Sequence, residues 1–72
     1  MKELNVELFA QRLKELRESK NLSKLQLAKK IGTSNMAITR WESCERIPNI
    51  ASLYKLAVFF DVTTDYLVGL ED

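Results

Sequence analysis

The chain has 72 residues, 46% of them hydrophobic and 29% charged, with a formal net charge of +1, which suits a single small folded unit rather than a disordered segment. It has no histidine and one cysteine, Cys44, so internal disulfides, common zinc ligand sets and histidine-dependent nucleophilic machinery are excluded. Its longest uninterrupted apolar run, Leu56 to Phe60, falls far short of the roughly 20 residues that a membrane span requires, and no basic, apolar leader opens it. With no Gly-rich phosphate loop either, the expectation is a cytoplasmic protein that is not an enzyme and needs no cofactor, metal or small-molecule ligand.

The first element predicted is an amphipathic helix capped by Asn5, with Val6, Phe9, Leu13 and Leu16 on its core face and Asn21 marking its end. Ser23 followed by Gln26 then forms a capping box, with Leu22 and Leu27 placed to close a hydrophobic staple over it. A second helix therefore starts at Lys24. It cannot run far, because Gly32 supplies a cheap left-handed terminus and Ser34 caps another helix at once. Two short helices joined by so few residues cross steeply as a helix-turn-helix unit.

Ala28 provides the small residue that the crossing needs, and Leu27, Ile31, Ile38 and Trp41 supply its apolar interior. The third helix, about residues 35–42, then turns Asn35, Met36, Thr39 and Arg40, with Ser43 beyond them, to the opposite side. An amide, hydroxyls and a guanidinium suit the reading of base edges better than the filling of a core.

A loop through Pro48 precedes a fourth helix capped by Asn49, from Ile50 to Phe60, whose expected core stripe is Ile50, Leu53, Leu56, Ala57 and Phe60. Tyr54, Val58 and Phe59 are then surplus apolar residues. A last short helix runs from Thr64 to Val68 and ends at Gly69.

Charge is unevenly spread. Residues 1–19 carry four bases and four acids; residues 20–46 carry six bases against two acids, a net of +4; residues 47–72 carry one base against four acids, a net of −3. Positive charge is thus concentrated on the helix-turn-helix, as expected of a protein that docks on phosphate with one side.

Residues 24–43, with Ala28, Gly32, Ile38 and Trp41 in order, resemble the helix-turn-helix of the lambda-repressor/Cro-like (Xre) transcriptional regulators, and the likeness continues through WESCERIPN to DYLVG. The resemblance implies an all-α, five-helix domain over residues 1–72 that sets its third helix into the major groove of double-stranded DNA. It implies base contacts from Asn35, Met36, Thr39 and Arg40, and phosphate contacts from Lys24, Ser34, Ser43 and Arg46. It also implies a structural ion pair between Arg17 and Glu42.

Relatives commonly form two-fold dimers on palindromic operators, so a homodimer is expected, with Tyr54, Val58, Phe59 and Tyr66 as candidates for its interface. The implied function is a sequence-specific transcriptional regulator, a repressor that occupies its operator. The alternatives are an antitoxin that holds a toxin on exposed apolar surface, and a protein-interaction module that has kept the fold without binding DNA. The loop departs from the family, since many relatives have glycine where Cys44 stands and a base where Glu45 stands.

Overall fold

The computed structural model describes residues 3–72, so the first two positions of the expected domain lie outside the described residues. Among the described residues there are five α-helices and no strand: α1 (Val6–Ser19), α2 (Lys24–Ile31), α3 (Asn35–Glu42), α4 (Ile50–Phe60) and α5 (Thr64–Val68).

Each helix opens on a side chain that serves its own first turn. Asn5 accepts from the Leu8 N–H, Ser23 from Gln26, Ser34 from Ala37, Asn49 from Ser52 and Thr63 from Tyr66, at 2.8–3.1 Å. At Ser23 the capping box is complete, because the Gln26 side chain accepts from the Ser23 N–H at 2.8 Å. These bonds satisfy N–H groups that a helix leaves orphaned, each such cap stabilising by about 1 kcal/mol. In so short a chain they set where every helix begins.

One core joins the elements. Phe9 and Leu13 of α1 meet Leu27, Ala28 and Ile31 of α2, Ile38 and Trp41 of α3, Leu56, Ala57 and Phe60 of α4, and Leu67 of α5. The helix-turn-helix pair α2 and α3 packs together most extensively, with α1 lying against both α3 and α5. The expected core stripe of α4 needs one correction. Ile50 is 86% exposed, because as the first residue of α4 it overhangs the bundle beyond the point where the other helices can cover it.

Left-handed backbone closes four of the helix ends and the loop after α3. Gly32 (φ +75°) and Gly69 (φ +87°) adopt it without penalty, but Asn21 (φ +56°), Cys44 (φ +68°) and Asp61 (φ +54°) carry a Cβ into it. Asparagine and aspartate tolerate this region through local hydrogen bonding, whereas cysteine has no such compensation. Cys44→Gly should therefore raise stability by about 0.5–1 kcal/mol, the relieved strain exceeding the added freedom of the unfolded chain. A urea midpoint that falls on this change would show Cys44 to be held by something other than turn geometry.

Candidate nucleic-acid interface

The outer face of α3 is where the chain shows most of its recognition chemistry. Ser34 spends its hydroxyl oxygen on the Ala37 N–H, which starts the helix just before Asn35. Ile38 and Trp41 point inward and are buried, so the helical period turns Asn35, Met36 and Arg40 out to solvent, with Thr39 half-buried beside them. Met36 is 59% exposed. No core role accounts for a thioether left in that position.

The far end of α3 is fixed by an ion pair. Arg17 of α1 donates from Nε to Glu42 Oε2 at 2.7 Å and from Nη2 to Oε1 at 3.0 Å, while its Nη1 donates to the Leu22 carbonyl at 2.8 Å. Both side chains are nearly enclosed. Hydrogen bonding to Glu42 is the main influence that raises the Arg17 pKa above the ordinary arginine value; burial opposes it, and the charges of Glu42 and Glu18 add to it. A folded-state pKa above the unfolded one contributes stability that is present at every pH below the ordinary arginine titration and fades only above it. The pair therefore acts as a fixed strut throughout the physiological range.

Two depressions flank α3. On one side a notch is lined by Lys14, Arg17, Lys24, Thr39, Glu42 and Ser43. Because Glu42 neutralises Arg17, its free cations among the described residues are Lys14 and Lys24. On the other side a shallower depression lies between α3 and the start of α4, with Thr33, Arg40, Arg46 and Asn49 on its walls. The expected contact residues thus gather around one helix, with a cation-bearing hollow at either edge.

The loop after α3 is occupied with itself. Glu45 N–H and Arg46 N–H both donate to the Arg40 carbonyl, at 3.0 and 3.2 Å. The Ser43 hydroxyl lies 2.9 Å from Glu45 Oε2 and 3.2 Å from the Arg40 carbonyl. Those two amides have partners, and a carboxylate stands against the Ser43 hydroxyl. Arg46 remains exposed.

Lys14 is the residue that the sequence reading passed over. Its signal was available, since it precedes Arg17 by three positions on α1 and so shares its face. The four residues expected at a dimer interface are not gathered into one patch. Tyr54 and Val58 are exposed on α4 beside the end of α2, Phe59 is half-buried next to them, and Tyr66 is half-buried with the Arg12 guanidinium 4.2 Å above its ring.

A helix-turn-helix family matches residues 13–67 of the chain. The chain belongs to the lambda-repressor/Cro-like (Xre) helix-turn-helix family. It is 42% identical over 64 residues to the HTH-type transcriptional activator BcrR of Enterococcus faecalis, an alignment covering 89% of this chain and 31% of BcrR. The crystal structure of the P22 c2 repressor in complex with a synthetic operator is similar at a TM-score of 0.84 and 31% identity, over 89% of this chain and 97% of that one. That of SinR, a master regulator for biofilm formation, in complex with DNA gives 0.75 and 30%, over 82% and 95%. The chain spans 30–58% of the length of the curated relatives it matches.

Removing the Glu42 carboxylate strands a nearly enclosed guanidinium, so Glu42→Ala should cost about 3 kcal/mol, as for other broken buried pairs. Replacing both partners by apolar residues, as in Arg17→Met with Glu42→Leu, should cost less than Glu42→Ala alone. Chemical denaturation of the three proteins checks this. A double variant weaker than Glu42→Ala would mean that the pair is not the strut described.

Proposed function

We propose that this chain is a sequence-specific, double-stranded DNA-binding transcriptional regulator that lays α3 in the major groove. The observation that carries the proposal is the exposed polar face of α3 between two cation-bearing hollows, on a fold similar to two proteins solved with DNA. Asn35 is assigned to an adenine edge, which offers one acceptor and one donor to a side-chain amide. Arg40 forks onto guanine, and Met36 and Thr39 make apolar contact with thymine methyls. Lys14 and Lys24 hold one phosphate strand from the notch, with Arg46 and Ser34 toward the other; these contacts fix register and carry no sequence information. Ser43 is a weaker phosphate donor, because Glu45 competes for its hydroxyl and repels the anion.

Lys24 supports this reading through the helix dipole. A cation in the first turn of α2 opposes the positive helix end by a few tenths of a kcal/mol. A phosphate in front of that turn reverses the sign of the interaction.

The regulator acts as a homodimer on a two-fold operator, its recognition helices about one turn of DNA apart. A two-fold contact presents the same patch from both subunits. Tyr54 and Val58 suit it poorly, since Lys29, Lys30 and Lys55 line the same hollow and would be doubled in the interface. An apolar cleft between α1, the α3–α4 loop, α4 and α5, lined by Leu4, Phe9, Ile47, Pro48, Leu53 and Val68, has no charged side chain in its lining among the described residues. Leu4 and Ile47 are exposed at its rim, and Ile47 directly follows Arg46 in the chain. That face is assigned to the partner subunit. Occupancy of an operator is enough to repress, with no further surface required, so repression is the proposed effect.

Binding of labelled duplexes selected from a random pool tests the proposal. Asn35→Ala should relax preference at one base pair and lose about 1–3 kcal/mol on the best site only. Lys14→Ala and Lys24→Ala should each weaken all sequences alike and make the logarithmic salt slope shallower by about one. Uniform loss from Asn35→Ala, or no shift of any duplex at low salt, would return the chain to the class of protein-interaction modules. Ile47→Glu should leave half-site binding intact while abolishing cooperative filling of a palindrome. Unchanged cooperativity would place the dimer contact elsewhere.

A further inference from the structure

The hollow between the end of α2 and the outer side of α4 is left unused by DNA reading and by the two-fold contact. Tyr54 and Val58, one helical turn apart on α4, are 65% and 62% exposed. With Phe59 and Ile31 they form an apolar floor, around which stand Lys29, Lys30 and Lys55. A fourth cation, Lys20, lies 5.5 Å from the centre of the Phe59 ring. No carboxylate lines the hollow among the described residues, and it shares no lining residue with either depression beside α3.

The helix dipole explains two of these cations, because Lys29 and Lys30 occupy the last turn of α2, where positive charge is favourable. It does not explain Lys55, which sits in the middle of α4 and faces the same hollow. We infer that this hollow is a docking site for an acidic amphipathic helix of another protein. The apolar floor takes side chains repeating once per turn, and the lysine rim takes the glutamates or aspartates beside them, as in other helix-in-groove contacts. A second copy of the chain is the wrong occupant for this surface, since a two-fold contact brings lysine against lysine. The inference does not depend on DNA binding, and its test reads the two separately.

The probe is a synthetic helical peptide of about 15 residues, with leucines spaced to form one stripe and glutamates flanking them, labelled for fluorescence anisotropy. It should bind the intact chain saturably, more weakly as salt rises, and the same peptide with lysine in place of glutamate should not bind. The double change Lys30→Glu, Lys55→Glu should weaken the acidic peptide about tenfold or more, and Val58→Ser should weaken it by a smaller factor. All these positions are exposed; Lys30→Glu gives up the favourable charge at the end of α2 and so should lower the melt only slightly, and every variant should keep the parent's preference among the selected duplexes. The inference is overturned if the acidic and basic peptides bind alike, if neither binds, or if the lysine changes leave affinity unaltered. It is also overturned if sedimentation shows that Val58→Ser dissociates a dimer, which would give the hollow to a second copy.

Discussion

The bond between Arg17 and Glu42 is the constraint on which the geometry of this protein turns. Arg17 reaches three elements at once: it is rooted in α1, forks onto the last residue of α3, and caps the Leu22 carbonyl ahead of α2. A helix of only two turns, such as α3, has little stiffness of its own. Held by the buried Ile38 and Trp41 on its inner side and by a guanidinium at its end, it becomes a rigid edge of the bundle. The same bond neutralises the floor of the notch, so that Lys14 and Lys24 above it act as the uncompensated cations.

Much of the fold could be read from sequence because it is set by short-range chemistry. Asn5, Ser23, Ser34, Asn49 and Thr63 each act within three residues of themselves, and Gly32 and Gly69 act at their own backbone. The outward orientation of Asn35, Met36 and Arg40 follows from helical period once Ile38 and Trp41 are given to the core. The link between Arg17 and Glu42 is of another kind. It spans 25 positions, and no local rule points to it; it was inferable only through resemblance to a family.

What could not be read depends on where the bundle ends. Ile50 has the period of a core residue and is 86% exposed, because burial needs a neighbouring element and none among the described residues covers the first position of α4. Tyr66 was a candidate for the dimer interface, and nothing local shows that Arg12 covers its ring from 54 residues away in sequence. Its guanidinium also donates to the carbonyls of Tyr66 and Glu71, tying α5 and the residues after it to α1. Charge, by contrast, was legible once divided by segment: +1 over the whole chain conceals lysines collected at both ends of α2 and carboxylates collected after α4.

The loop after α3 shows how the anchoring of such a domain can move. A glycine turn at the position of Cys44 followed by a base would favour a phosphate at the loop itself. Here the left-handed turn is kept at φ +68° with a side chain in place, and two of its amides are closed onto the Arg40 carbonyl. Glu45 faces the one nearby hydroxyl. A carboxylate in that position repels a phosphate that the exposed Lys14 and the half-buried Lys24 across the helix would attract. In the proposed DNA-binding mode, the electrostatic weight of docking would therefore shift from the loop to the notch on the α1 side. A duplex seated in the proposed way would lean toward Lys14 and Lys24, beside Thr39 and Ser43 at the C-terminal half of α3, while Asn35 and Met36 stand exposed at its N-terminal half.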